Sequence, residues 1–500
     1  MTAFEKRILH YMAAGFPILY LNTFEEGKAR EAILHTSAKT AGHALILEWD
    51  GTDRVLDIQT GELAYEMSMA TLPEILDDRM DYKKRLIFIL RNIDTFMEDP
   101  AVMARLNKMA GLIHNGSLDA VIVIISPVLR IPKEIEKYVT VIEMDYLTVD
   151  EIREVIRNFA AEYETPISER LEKELGNALK GLSEFEIENI LQLALAESSE
   201  FTRSQMGLIF DQKQQIIKKA GILEMIPLRE GLEDIGGLEN LKDWLRRKAK
   251  VLSDIESAKA FGVDMPKGVL IAGVPGCGKS LSAKAAAKLF EIPLLRLDMG
   301  RLLGKYVGES EANMRRAIEL AEAISPCVLW IDELEKAFAG IGGDGAGAEV
   351  TTRLFGSFLT WLQEKETPVF VVATANDITK LPPELLRKGR FDEVFYVGLP
   401  QREERRKILE IHIRKRRPKD FDGLDMERLL EHTEGFSGAD IEGAVRESIE
   451  TAFADGRSGL STAEILQAID NTHSLSEIMK EPIEKMKKEY ETRKFKNASR

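Results

Sequence analysis

Cysteine is scarce in this 500-residue chain, which holds two. Cys277 sits inside a glycine-rich run and Cys327 just before an apolar, strand-like run. Neither place suits a structural disulfide, so a reducing compartment is expected. Long apolar runs are missing as well. None approaches the ~18 residues of a membrane-crossing helix, and the first residues lack the apolar core of a signal peptide. The expectation is a cytoplasmic protein that neither spans a membrane nor is secreted. Positive charge is in deficit, 68 Lys and Arg against 83 Asp and Glu, for a net charge of −15. That balance argues against coating of nucleic acid, whose affinity comes from neutralising phosphates. The basic run at 414–419 (RKRRPK) reads as a solvated face or linker. The seven histidines are scattered and no H-E-x-x-H occurs, which excludes that type of zinc-protease site.

Three runs carry chemistry. Residues 273–280, GVPGCGKS, fit G-x-x-x-x-G-K-[ST]; VLIA precedes them and the helix-prone LSAKAAAKLF follows. Glycines let backbone N–H groups close around phosphate oxygens, and the helix N-terminus adds partial positive charge. Gly273, Pro275, Gly276, Cys277, Gly278 and Leu281 therefore read as an ATP cradle, with Lys279 reaching the β- and γ-phosphates and Ser280 ligating Mg²⁺. Residues 328–333 (VLWIDE) read as a doubly buried parallel strand ending in two carboxylates. Asp332 there completes the Mg²⁺ shell and Glu333 orients and deprotonates the attacking water. A second buried strand, VFVVATAN at 369–376, ends in Asn376, placed to position that water.

Seven elements in order make residues 231–459 resemble the AAA family of ATPases: DIGGLENLK, the phosphate loop, KYVGES, VLWIDE, TAN, LPPELLRKGRFDE and GFSGADIE. The resemblance implies a parallel P-loop α/β sheet flanked by helices, then a helical lid. It also implies a ring, usually a homo-hexamer, in which Arg387 and Arg390 act as arginine fingers on the neighbouring subunit's γ-phosphate. Gly438 and Ala439 would lie against adenine, and Ile235 and Gly236 would cover the base from the other side. In family unfoldases the loop matched by Lys305, Tyr306 and Val307 grips polypeptide in a central pore; the alternative is a tyrosine packed on its own domain. The glycine-rich run at 339–349 reads as a mobile loop.

The first half holds no intact motif but echoes the second about 250 residues earlier. GLSEFEIE at 181–188 parallels GFSGADIE, and IPKEI at 131–135 parallels LPPEL. LIFILRNID at 86–94 parallels the carboxylate strand, with Arg91 and Asn92 in place of Asp332 and Glu333. ILYLNTFEEGKA at 18–29 parallels the phosphate loop, with Ala29 for Ser280 and Phe24, Glu25 and Glu26 in the loop. Acidic side chains in a phosphate cradle repel a triphosphate. Residues 1–220 therefore read as a degenerate, non-catalytic AAA-like repeat; an unrelated α/β domain with coincidental similarity is the alternative.

The remaining boundaries are expected at 221–400 for the ATPase α/β subdomain, 401–473 for the lid, and 474–500 for a charged, solvated helical tail packing by one thin apolar face. The whole chain resembles the AAA proteins encoded in cyanobacteria and plastids and their bacterial and viral relatives, so a plastid stroma is the counterpart of the cytoplasm. Two functions fit: a ring-shaped motor that remodels or unfolds protein, or a nucleotide-switched assembly protein that threads nothing. A nucleic-acid motor is disfavoured by charge.

Overall fold

The computed structural model describes residues 1–39, 44–51, 54–66, 71–80, 84–127, 129–198, 200–219, 221–302, 309–337, 346–387 and 389–500. They form two compact units. The first comprises Met1–Leu147 and Leu182–Leu191, the second Thr148–Gly181 and Gln192–Arg500.

In the first unit, seven strands form one sheet: β1 (Ile18–Asn22), β2 (Leu45–Trp49), β3 (Arg54–Asp57), β4 (Leu63–Glu66), β5 (Leu86–Arg91), β6 (Ala120–Ser126) and β7 (Val139–Glu143), in the order β4-β3-β2-β5-β6-β1-β7. The run β2-β5-β6-β1-β7 is parallel and β3 and β4 extend it as antiparallel strands.

The second unit holds β8 (Leu223–Ile226), β9 (Gly268–Gly273), β10 (Leu294–Leu297), β11 (Cys327–Ile331), β12 (Val369–Ala375), β13 (Glu393–Val397) and β14 (Lys496–Asn497), ordered β14-β13-β9-β12-β11-β10-β8. The run β10-β11-β12-β9-β13 is parallel and has the strand order of the first unit's parallel run. The sequence echoes fall on matching strands: β1 with β9, and β5 with β11.

Both faces of the second sheet are covered, so its central strands read as unbroken apolar runs while still alternating in direction. Leu270, Leu329 and Val371 enter one apolar cluster, whereas Val269, Val328 and Phe370 enter the other. The lid is a separate helical core, where Leu409, Ile413, Leu429, Ile441 and Ile465 meet.

Two sequence expectations need revision. The end of the glycine-rich run is not a loop, because a helix spans Ala346–Glu364; the residues before it, 338–345, lie outside the described set. Alanines within the run supply the helix propensity its glycines lack. The tail is more than a solvated helix. After Lys480–Arg493 the chain turns and adds β14 to the sheet edge, and Ala498 is fully buried.

Candidate active site

Strand β9 delivers the chain into the loop at the C-terminal edge of the sheet, and the helix Lys279–Phe290 begins directly after it. Gly276 has φ +72°, and a Cβ on it would stand 3.0 Å from Ala439 Cβ and Ser437 Oγ. The loop thus meets the first turn of the lid helix Gly438–Ala454, and Ala439 N donates to Gly276 O at 3.0 Å. On its other side the loop meets the linker before the helix Glu239–Ser253: a Cβ on Gly278 would lie 3.8 Å from Leu238 Cδ1. Gly236 is pressed against the lid, where a Cβ would fall 2.8 Å from the backbone nitrogen of Ile408. Ile235 is buried. Linker, phosphate loop and lid converge at this corner.

Lys279 is 6 % exposed, and its Nζ donates to Gly273 O and Val274 O at 2.9 and 2.8 Å. Burial pulls its pKa down to about 8, against the pull of nearby acidic groups that include Asp332 and Glu333. Burial pushes the Cys277 thiol up to about 11, so it is a neutral packing group at physiological pH.

At the end of β11, Asp332 Oδ1 accepts from Ser280 Oγ at 3.1 Å and from Thr374 Oγ1 at 2.5 Å. Two hard oxygen donors side by side suit Mg²⁺. Glu333 adopts φ +50°. Its N–H donates to Thr374 Oγ1 at 3.1 Å, and Asn376 Nδ2 donates to Glu333 Oε1 at 3.2 Å. Lys336 Nζ pairs with Glu333 Oε2 at 2.5 Å. Asn376 N donates to the buried Glu335 Oε1 at 3.0 Å.

Thr374 and Lys336 were not singled out by sequence. Thr374, one residue before the end of β12, faces the neighbouring strand end that carries Asp332, a placement that the strand register alone reveals. Arg387 is exposed, and among the described residues Arg390 Nη1 is buried without a hydrogen-bond partner. Neither arginine is hydrogen-bonded to the phosphate loop of its own chain among the described residues. Lys305, Tyr306 and Val307 lie outside the described residues.

The corresponding corner of the first unit is filled by its own side chains. Glu25 Oε1 accepts from Glu184 N at 2.5 Å, and Lys28 Nζ pairs with Glu184 Oε2 at 3.2 Å. Arg91 pairs with Glu26 and, at 3.0 Å, with the buried Glu48, which Arg30 approaches at 3.2 Å. Burial raises the Glu25 pKa, partly offset by Lys28 and the two N–H groups it accepts from. Asn92 has φ +52°, matching Glu333.

A phosphate loop between a central strand and its helix, an acidic pair ending the next-but-one strand and a helical lid define a P-loop ATPase of the AAA class. The chain belongs to the AAA ATPase family. Residues 269–399 match the ATPase family associated with various cellular activities (AAA), and 423–467 match the AAA+ lid domain. Residues 4–144 match the N-terminal domain of SpoVK-like AAA ATPases, and 150–220 match the second domain of that group. Over nearly the whole chain it is similar to the AAA domain-containing protein ycf46. The Guillardia theta protein is 36% identical over 484 residues, 97% of this chain and 94% of that one. The Pyropia yezoensis protein is 36% identical over 471 residues, 94% of each. The Trieres chinensis protein is 34% identical over 476 residues, 95% of this chain and 94% of its own.

Proposed function

We propose that this chain hydrolyses ATP with Mg²⁺ in the site bounded by Lys279, Ser280, Asp332, Glu333 and Asn376, and that it does so in a homo-oligomeric ring, a hexamer by family precedent, that remodels protein. The observation that carries the reading is the network about Asp332 and Glu333. One strand-end threonine, Thr374, holds both the Asp332 carboxylate and the Glu333 N–H.

Mg·ATP supplies the electrophilic phosphorus and a charge-neutralising cation; the chain's residues do the rest. Ser280 and Asp332 hold the metal, and Lys279 exchanges its two loop carbonyls for phosphate oxygens. Glu333 accepts the proton of the attacking water, and Asn376, bonded to the same carboxylate, fixes where that water stands. Arg387 and Arg390 act on the neighbouring subunit's nucleotide. Guanidinium groups supplied in this way to phosphoryl transfer are worth ~10³–10⁵ in rate. Protein remodelling rests on Tyr306 as a pore residue.

We assign the first unit to assembly or recruitment rather than catalysis. Its cradle already holds the carboxylates of Glu25 and Glu26, and Ala29 lacks the metal-binding hydroxyl. A protein without a helix long and apolar enough to cross a membrane, among the described residues, is in keeping with a site in the cytoplasm or a plastid stroma.

The test is the mass of the Glu333→Gln protein by light scattering with and without Mg·ATP, beside wild-type turnover at several protein concentrations. A shift from a small species to a ring of about six chains, with specific activity rising as it forms, is the expected result. A monomer that binds ATP yet stays monomeric, or specific activity independent of concentration, overturns the ring. Loss of remodelling in Tyr306→Ala with ATPase intact separates a threading motor from a nucleotide switch.

A further inference from the structure

The helix Glu239–Ser253 follows immediately on the linker that packs against the phosphate loop, yet it starts badly. Its N-cap residue is Leu238, at φ +56°, which has no side-chain oxygen to accept the first-turn N–H groups. The missing acceptor comes from the far end of the sequence. Ala498 O accepts from Leu241 N, the third helical residue, at 3.2 Å. Asn240 Nδ2 donates to Asn497 O at 3.1 Å and to Ser499 O at 2.7 Å, and Arg500 pairs with Asp243 at 2.8 Å.

The donor segment is itself firmly placed. β14 runs parallel to β13, with Phe395 opposite Lys496 and Tyr396 opposite Asn497, and Ala498 N donates to Tyr396 O at 2.8 Å. Ala498 enters the apolar cluster of Leu241, Trp244 and Phe395 on one sheet face. On the other face Tyr490 is buried and stacked on Tyr396, with ring centroids 4.2 Å apart. The tail is therefore anchored through the sheet before it reaches the helix.

We propose that residues 495–500 act as an intramolecular cap that sets the position of the linker 235–238 beside the phosphate loop, making Asn240 and Ala498 positioning residues for nucleotide binding. The linker is held at its other side by the lid, through Leu238 N donating to Glu404 Oε1 at 3.0 Å. Its placement thus rests on the lid at one side and, at the other, on the helix whose start is capped by the tail fixed to the sheet, Lys242 Nζ of that helix donating to Ile235 O at 2.6 Å. The fixed support keeps the linker registered on the loop.

This inference rests on nucleotide binding at that loop. The experiment is titration of a fluorescent ATP analogue into the Glu333→Gln protein, alone and with Asn240→Ala or Asn240→Gln added, beside steady-state ATPase and melting of the same Asn240 variants in the wild-type background. Loss of two hydrogen bonds should weaken analogue binding and raise KM roughly five- to tenfold. At saturating ATP, kcat should stay within about twofold. Asn240→Gln, which keeps the amide donor, should recover most of the affinity. Failure of the Glu333→Gln protein to bind the analogue would sink the nucleotide reading itself. Binding there but unchanged affinity in Asn240→Ala would sink the cap alone. A lowered melting temperature with kcat falling in step, and no rescue by Gln, would make the tail a general staple and also overturn the proposal.

Discussion

At the residue scale, the site divides by what each side chain holds. Lys279→Ala removes the ammonium that the loop carbonyls of Gly273 and Val274 hold, and should abolish measurable nucleotide binding. Glu333→Gln keeps the shape and the Asn376 contact but cannot take a proton, so it should bind Mg·ATP and turn over at least ~10²-fold more slowly, read by calorimetry and phosphate release. Thr374 is the more discriminating position. Thr374→Val keeps its volume but leaves Asp332 Oδ1 and the Glu333 N–H each short of a partner. We expect kcat to fall about tenfold with Thr374→Ser close to wild type; equal rates in all three would remove Thr374 from the mechanism. The phosphate loop, Asp332, Glu333 and Asn376 were legible in the sequence because each demands particular atoms at a fixed spacing. Thr374 was not, because a threonine in a buried strand is ordinary until the neighbouring strand's register places Asp332 opposite it.

At the scale of elements, the strand runs were legible from unbroken apolar stretches that few other structures tolerate, and the lid from the family resemblance of GFSGADIE, where the structure places a capping box at Ser437 and Asp440. The tail strand was not legible. Two residues, Lys496 and Asn497, carry no alternation, and their place comes wholly from β13. Helix docking in the second unit supplies a pH prediction. Lys213, on the helix Met206–Lys219, is 3 % exposed and donates to Ala178 O at 2.7 Å. Burial lowers its pKa from 10.5 to about 8, outweighing the nearby Cys327. The folded state therefore releases the proton more readily than the unfolded state. The charge-burial penalty is full below about pH 8 and is relieved as pH rises from about 8 towards 10.5. Stability of the wild type relative to Lys213→Met should climb across that window by up to about 3 kcal/mol. Parallel denaturation curves at every pH would refute the charge state.

At the scale of the whole molecule, one matching strand order hosts two fates. The second unit keeps the phosphate loop beside Asp332 and Glu333, while the first fills the same corner with Glu25, Glu26, Arg91 and Glu48. One nucleotide should bind per chain, and Lys279→Ala should take the count to none by equilibrium dialysis; a residual high-affinity site would place it in the first unit. If the proposed ring forms, Arg390→Ala mixed with Glu333→Gln should give mixed rings whose activity departs from the sum of the two, each mutation disabling a different partner of the proposed interface. The left-handed turn at Glu333 recurs at Asn92, where no carboxylate chemistry is at stake. The bend is thus a habit of the strand end, indifferent to its passenger. Asparagine tolerates that backbone region better than glutamate. A Glu333→Asn protein should melt above the wild type and lose turnover, which would make this glutamate a trade of durability for turnover.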